Sequence, residues 1–265
     1  MAAESIGFER AASYYDLTRG FPPGVGDVLA ARLAGAAGRG PMSRVLEVGV
    51  GTGRIALPLS RHGGRYIGTD LARPMLDVLR AKQVDEPLTV LLADATRLPL
   101  ADRTFDAVLA IHVLHLVRAW RLAVAELGRV VRPDGAILVN AREDFGHEPL
   151  MDEWNRLCDV HGIRFQGTAV GIEDDGELID AFARIGFTEW ETGTAAEWAY
   201  SVTPARFVAD LENRVWSSTW GLPEAPYRAA LADFRAWLGR EGIRPDEPLS
   251  TTRRFRYLLF RRPAA

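Results

Sequence analysis

Residues 45–54 of the chain read VLEVGVGTGR, an apolar run that ends in a glycine-rich turn. An apolar strand that leads through such a turn into a helix is typical of α/β proteins, and the glycines let backbone N–H groups approach a ligand closely. The same kind of loop occurs in dinucleotide-binding enzymes, so by itself it indicates only a ligand site. The stretch therefore predicts the first strand of an α/β sheet with a binding loop at its end.

Two details of this loop distinguish between possible ligands. Its glycines are spaced G-x-G-x-G, and Arg54 stands where the dinucleotide motif has its third glycine or alanine. Glu47 lies two residues before the first glycine, where a carboxylate would repel a pyrophosphate but is compatible with an ammonium and a sulfonium group. The loop therefore favours S-adenosylmethionine over a nicotinamide dinucleotide.

Two aspartates end the next two predicted strands. Asp70 closes the second strand, 19 positions after Gly51 (70 − 51), where its carboxylate can accept hydrogen bonds from both ribose hydroxyls of an adenosine. Asp94 closes the third strand, where it can accept from the adenine amino group while the backbone N–H of Ala95 donates to the ring. Because the carboxyl ends of adjacent parallel strands meet in one crevice, these residues predict an adenosine site.

The N-terminal half alternates strands with helices. Apolar runs typical of strands covered on both faces lie at residues 44–49, 65–70, 88–93, 105–111 and 136–140. The clearest helix is predicted from about residue 118 to residue 131, and the turn Arg132-Pro133-Asp134-Gly135 is expected to separate it from the next strand.

After Asn140 helical patterns predominate, and six of the seven tryptophans lie beyond residue 150. No low-complexity linker divides the chain, so we predict one domain over residues 1–265. Within it, residues 1–140 form a cofactor-binding core with an N-terminal cap, residues 141–250 a helical lid with a sixth strand, and residues 251–265 the final strand. The lid is expected to shape an acceptor pocket, with Trp154, Trp198, Trp216 and Trp220 as candidates for its lining.

Composition narrows the possible partners. The 32 basic and 35 acidic residues leave a formal charge of −3, which gives no electrostatic reason to expect a nucleic acid or an anionic membrane as partner. No apolar run has the length of a membrane span, and the single cysteine, Cys158, excludes an intrachain disulfide. We expect a cytoplasmic protein that acts on a small molecule.

Taken together, residues 45–140 resemble the class I S-adenosylmethionine-dependent methyltransferases, in the type 11 branch similar to quinone-biosynthesis methylases. The resemblance rests on VLEVGVGTGR (45–54), IGTDLARPML (67–76), LLADATRLPLADRTFDAVLAIHVLHLV (91–117) and LGRVVRPDGAILV (127–139). The segment YYDLTR (14–19) also resembles the family's tyrosine–aspartate–arginine segment, which commonly folds over the cofactor. The resemblance implies a doubly wound, Rossmann-like sheet of seven strands, mostly parallel with an antiparallel last strand and with helices on both faces.

The resemblance also implies where the cofactor would lie. Glu47, Gly49 and Gly51 would line its methionine end, Asp70 would hold the ribose, and Asp94 with Ala95 would meet the adenine. The other implied cofactor contacts are Tyr15, Arg19, Leu71, Met75, Ile111 and His112. The product would be S-adenosylhomocysteine, and no metal is implied.

Transfer of a methyl group from a sulfonium is an in-line displacement, so the protein's main task is to align the acceptor. Oxygen or nitrogen acceptors can also need a base, for which His112 and His115 are the first candidates and Asp144 and His147 the next. Three other functions stay open: a binding module that holds S-adenosylmethionine without catalysis, an RNA or protein methyltransferase, and a nicotinamide oxidoreductase. Glu47 and Arg54 disfavour the oxidoreductase.

Overall fold

The structure is a computed structural model that describes residues 8–38, 40, 42–141, 149–163, 171–172 and 174–263. Its strands, in chain order, are β1 (Arg44–Val48), β2 (Arg65–Asp70), β3 (Leu88–Leu92), β4 (Phe105–Ala110), β5 (Val131–Asn140), β6 (Glu189–Val202) and β7 (Leu249–Arg261). Within the described residues these strands form one sheet in the order β3-β2-β1-β4-β5-β7-β6. The first five strands pair with one another in parallel, and β7 pairs with β5 in antiparallel orientation. The predicted sheet class is confirmed.

The helices connect the strands as expected for an α/β protein. They are α1 (Tyr15–Arg19), α2 (Val25–Ala36), α3 (Ala56–Ser60), α4 (Arg73–Lys82), α5 (Trp120–Val130), α6 (Pro149–Val160), α7 (Asp175–Arg184), α8 (Pro204–Glu212) and α9 (Glu224–Arg240). None of these described helices combines the length and the apolar run that crossing a bilayer requires.

The strand order reverses direction between β1 and β4, because the chain passes from β1 outward to β2 and β3 before it returns to β4. In doubly wound sheets the crevice beside such a switch point, at the carboxyl ends of the strands, is where ligands bind. The loop after β1 is therefore placed by topology at the position where a ligand site is expected.

The contacts divide the chain into two compact units. The first comprises the described residues within Met1–Glu143, Val170–Ala196 and Arg254–Ala265. Its core joins the sheet to α5 and α7 through side chains such as Val108, Leu127 and Ile137, which are fully buried. In the same core the ring of Phe182 stacks on that of Phe260 at 4.2 Å between centroids.

The second unit comprises the described residues within Asp144–Ala169 and Glu197–Arg253. Its core packs α6, α8 and α9 around Trp154, which is buried and meets Tyr227 and Phe234 edge to face. Trp216 packs on Phe207 beside this core. These two tryptophans therefore take part in the packing of the second unit. The prediction of one domain over residues 1–265 stays a prediction.

One boundary predicted from the sequence is wrong. Strand β5 begins at Val131 rather than after the turn at residues 132–135. Val131 pairs with Phe105, and the next paired residues are Ala136 and Ala107. The Arg-Pro-Asp-Gly stretch is thus a bulge inside a strand, which local turn chemistry does not distinguish from a turn between elements.

A comparison of Gly53, in the glycine loop, with Gly24, before α2, separates the cost of crowding the core from the cost of a left-handed backbone. Gly53 and Gly24 have nearly the same left-handed φ, +80° and +81°. A Cβ on Gly53 would lie 2.9 Å from Leu79 Cγ and 3.0 Å from Leu57 Cγ, whereas at Gly24 no described atom lies within 4 Å. We expect Gly53→Ala to lower the free energy of unfolding by about 1–3 kcal/mol more than Gly24→Ala, because only the first also overfills the core. Urea unfolding of both variants measures the difference, and equal losses would contradict the packing argument.

Candidate functional site

A cleft of about 690 Å³, counted with its open mouth, lies at the carboxyl ends of β1–β4 in the first unit. Its lining comprises Phe8, Tyr15, Val48, Gly49, Gly51, Asp70, Leu71, Ala72, Met75, Ala93, Asp94, Ala95, His112, Val113, Leu116 and Val117. Nine residues proposed from the sequence are among them: Tyr15, Gly49, Gly51, Asp70, Leu71, Met75, Asp94, Ala95 and His112.

The glycine loop has the conformation that the motif requires. Gly49 and Gly51 have φ values of +74° and +55°, the left-handed region that glycine adopts at little cost. The N–H groups of Gly49 and Val50 both donate to the carbonyl of Thr69, at 2.8 and 2.9 Å. A Cβ on Gly49 would lie 2.5 Å from the side chain of Val113. The loop is therefore folded back onto the end of β2, and Gly49 is needed for space as well as for conformation.

Asp70 fixes the far side of the same loop. Its Oδ2 accepts the N–H of Gly51 at 2.8 Å, and its Oδ1 accepts the N–H of Ala72 at 2.8 Å. Burial raises the pKa of Asp70, and the backbone hydrogen bonds partly oppose that shift. A carboxylate has about four lone-pair sites, so two such bonds leave capacity for ligand hydroxyls. Gly51 and Asp70, which are 19 residues apart in the sequence, are thus in direct contact.

Asp94 is held in a similar way at the end of β3. Its Oδ1 accepts both the backbone N–H and the hydroxyl of Thr96, each at 2.8 Å. These two bonds orient the carboxylate and leave Oδ2 with lone pairs for a ligand. Leu71 and Met75 add apolar groups to the same lining, and Leu71 is about half exposed.

Glu47 is the fourth residue of β1, two positions before Gly49. It is buried, it is not among the residues that line the cleft, and it accepts a hydrogen bond from the Tyr66 hydroxyl. Burial raises the pKa of Glu47 to about 8, against the lowering effects of the Tyr66 hydrogen bond and the Arg54 charge. At neutral pH the side chain is therefore protonated, and the argument that its charge repels a pyrophosphate does not hold for this structure.

The N-terminal segment is fastened beside the glycine loop. The Asp16 carboxylate accepts the hydroxyl of Thr52 at 2.6 Å and the ammonium of Lys82 at 2.7 Å. Arg54 donates to the carbonyl of Arg19 and lies over the ring of Phe21, 4.5 Å from its centroid. Tyr15 lines the cleft, whereas the side chain of Arg19 does not.

Sequence reasoning missed the residues that make this attachment. Asp16 lies within the quoted YYDLTR segment, so its motif was a usable signal. Lys82 had no such signal, because it is 66 residues from Asp16 and only the fold of α4 brings them together.

The residues after β4 complete the lining. His112 lines the cleft, and Ile111 beside it is buried in the first unit but is not among the lining residues. His115 lies in a short 3₁₀ turn, Leu114–Leu116, and also does not line the cleft. Burial, followed by the charge of Arg19, lowers the pKa of His115 to about 4. Asp144 and His147 lie outside the described residues.

Comparisons with known proteins agree with this geometry. Residues 46–139 match the model of the family described as "Methyltransferase domain". The chain is 33% identical over 155 residues to malonyl-[acyl-carrier protein] O-methyltransferase of Serratia marcescens, covering 58% of each chain. It is 34% identical over 133 residues to demethylmenaquinone methyltransferase of Streptomyces avermitilis, covering 50% of this chain and 57% of that one. The chain thus spans somewhat over half the length of these relatives.

Among solved structures, the fold is similar to that of Haemonchus contortus phosphoethanolamine N-methyltransferase 2 in complex with S-adenosyl-L-methionine. The TM-score is 0.58 at 18% identity, over 97% of this chain and 57% of that one. The region that matches the family model, residues 46–139, runs from β1 to β5 and contains the glycine loop and both aspartates. Residues 46–139 are therefore a class I S-adenosylmethionine-dependent methyltransferase domain of the type 11 family.

The protonation of Glu47 has a consequence for stability. A carboxyl group with a raised folded-state pKa stabilises the fold below its unfolded value of about 4.5, and that stability is lost as the pH rises toward about 8. Glu47→Gln keeps an acceptor for Tyr66 but cannot ionise. We expect the variant to gain at least about 1.4 kcal/mol in unfolding free energy relative to the parent between pH 5 and pH 8.5, the equivalent of one pKa unit.

Urea unfolding of both proteins across that pH range measures the difference. Its pH dependence isolates Glu47, because all other titrating groups are shared by the two proteins. A difference that stays constant from pH 5 to pH 8.5 would contradict the raised pKa.

Proposed function

We propose that this protein binds S-adenosylmethionine in the cleft of the first unit and transfers its methyl group to a small-molecule acceptor. The observation that carries the proposal is the pair of oriented carboxylates, Asp70 and Asp94, which follow one another beside the glycine loop at the ends of β2 and β3 in one cleft. The near-neutral formal charge of −3 supports a small acceptor over a nucleic acid. The two named relatives methylate different compounds by their names, so neither acceptor is carried over to this chain.

The donor set of the cleft fits an adenosine ligand. Asp70 offers lone pairs to the two ribose hydroxyls while its backbone hydrogen bonds hold it in place. Asp94 offers Oδ2 to the adenine amino group, and Leu71 and Met75 offer apolar contacts to the ring. Gly49 and Gly51 would meet the methionine end with their backbone, because both line the cleft without a side chain.

When bound, S-adenosylmethionine supplies a methyl group activated by its positively charged sulfur. The protein's part is to hold the ligand and to keep the surroundings free of opposing charge. Burial and the charge of Arg54 lower the pKa of His112, and burial lowers that of His115. Both imidazoles are therefore uncharged at neutral pH and do not repel a sulfonium.

The roles of Tyr15 and Arg19 over the cofactor, and of residues 141–250 in shaping an acceptor pocket, are part of the same proposal. The presence of Tyr15 in the cleft lining supports this part of the proposal. The attachment of Asp16 to Thr52 and Lys82 supports it as well, because it keeps the N-terminal segment beside the loop.

Calorimetric titration of the full chain with S-adenosylmethionine, S-adenosylhomocysteine and NADH tests the proposal. We expect saturable one-site binding of the first two ligands and none of NADH. In Asp70→Asn the affinity should fall by about 10- to 150-fold, the equivalent of about 1.5–3 kcal/mol for hydrogen bonds to a charged group.

Asp77→Asn is the matched control for this variant. Asp77 lies on α4, is more than half exposed and pairs with Arg80, so its loss should leave the affinity unchanged. Binding of NADH alone would move the protein to the oxidoreductases. Binding of S-adenosylmethionine without transfer to any acceptor would instead favour a non-catalytic binding module.

A further inference from the structure

The N-terminal segment, residues 8–21, forms part of the wall of the cleft. Its residues Phe8 and Tyr15 are among the lining residues, and their rings meet edge to face with 5.9 Å between centroids. Ala12, between them in the chain, is buried against Ala72, the residue before α4. Most of the remaining lining comes from the ends of β1–β4 and the residues that follow them. The segment therefore adds a wall from a different part of the chain.

Two residues of the glycine loop hold this segment with their side chains. The hydroxyl of Thr52, which is buried, donates to Oδ1 of Asp16 at 2.6 Å. The Arg54 guanidinium donates to the carbonyl of Arg19 and lies over the ring of Phe21, 4.5 Å from its centroid. The loop therefore lines the cleft with its glycines and binds the segment with the side chains that follow them.

The contact made by Arg54 gives a structural role to a departure from the dinucleotide motif. Dinucleotide-binding loops have a third glycine or alanine at this position, where a small residue lets the helix pack closely on the strand. In this chain the position carries a guanidinium that reaches the N-terminal segment. The loop thus has an attachment that a glycine at residue 54 could not make.

Asp16 joins the segment to a third element, helix α4. Its Oδ2 accepts the Lys82 ammonium at 2.7 Å, and the two side chains are each about one third exposed. An ion pair so exposed is weakened by solvent and salt. A hydrogen bond from a buried hydroxyl to the same carboxylate is stronger, because its acceptor is charged. We therefore expect Thr52 to contribute more to the attachment than Lys82.

The contacts that shape the cofactor loop and those that hold the segment are neighbours along the chain. The Gly51 N–H is bonded to Asp70, and the hydroxyl of the next residue, Thr52, is bonded to Asp16. A ligand that fixes the loop therefore also favours the attached segment. By linkage, the attached segment favours the bound ligand by the same free energy.

We propose that Thr52 and Arg54 are positioning residues of the cofactor site, which tie the N-terminal segment to the glycine loop so that Phe8 and Tyr15 stay against a bound cofactor and slow its dissociation. This inference rests on the function proposed above and extends it to how the site retains its cofactor. Release of the cofactor then requires the segment to detach from the loop. The shared Asp16 carboxylate makes Lys82 a second, weaker contributor to the same attachment.

The dissociation rate of S-adenosylhomocysteine from the full chain tests the proposal. Protein loaded with the tritium-labelled compound is mixed with an excess of the unlabelled one, and the label that stays bound is followed by rapid filtration. Thr52→Val keeps the shape of the side chain but removes its donor. We expect the rate to rise at least about tenfold, the equivalent of one hydrogen bond to a charged group. Thr52→Ser keeps the donor and should stay within about threefold of the parent.

Variants around Asp16 test whether its carboxylate is the shared group. Lys82→Met should raise the dissociation rate by about two- to fivefold, as expected for a partly exposed ion pair. Asp16→Ala removes both contacts at once, so its rate should match that of the double variant Thr52→Val/Lys82→Met within about threefold. Arg80→Met is the matched control, because Arg80 lies on the same helix and pairs with the exposed Asp77, and its rate should equal that of the parent.

A second measurement separates positioning from general stabilisation. Amide hydrogen exchange of residues 8–21 is followed with and without S-adenosylhomocysteine. We expect the ligand to slow this exchange in the parent and in Arg80→Met. Arg54→Met, which removes the bond to the Arg19 carbonyl, should lose at least half of that effect and raise the dissociation rate at least about threefold. A purely structural contact would change urea unfolding of the variants and leave both readouts unchanged.

Each contrary result has a distinct meaning. Dissociation rates within twofold of the parent in Thr52→Val, Arg54→Met and Asp16→Ala would overturn the role given to the attachment, as would exchange of residues 8–21 that is the same with and without ligand. Asp16 is partly exposed, so Asp16→Ala tests the contact even if the buried substitution at Thr52 prevents folding. Failure of the parent protein to bind S-adenosylhomocysteine at all would instead overturn the proposed function.

Discussion

The hydrogen bond from the Gly51 N–H to the Asp70 carboxylate is the contact on which the site depends. It joins the loop after β1 to the end of β2 at 2.8 Å. The same carboxylate accepts the Ala72 N–H, so one side chain orients the loop and the start of the segment that leads into α4. Because the contact uses only part of the carboxylate's capacity, Asp70 can support the loop and still meet a ligand.

Around this contact the charges are arranged by burial as much as by residue type. Glu47 is protonated at neutral pH because it is buried, and His112 is uncharged for the same reason. Asp16, which is partly exposed, forms an ion pair with Lys82. Residue types alone would assign a negative charge to Glu47, since only its surroundings reveal the cost of ionising it.

Much of the first unit could be predicted from local patterns. The bounds of β2 match the predicted run at residues 65–70. Strands β1, β3 and β4 each end one residue earlier than the run predicted for them. Fully buried parallel strands are continuous apolar runs, which makes them easy to recognise. The bulge at residues 132–135 was not predictable in this way, because it depends on which residues of β4 stand opposite. The left-handed φ of His112 has no local signal either, and the hydrogen bond from its backbone N–H reaches the Asn140 amide, 28 residues away.

The sequence by itself determined the fold class, the glycine loop and the two aspartates, because a strand, a turn and a carboxylate at fixed spacing are properties of short segments. Only the tertiary structure decided which of the candidate residues share one cleft. It placed Gly49, Asp70, Asp94 and His112 together and left Glu47 and His115 outside the lining. Long-range strand pairing sets these distances, and burial sets the charges, so neither can be obtained from a single segment of the chain.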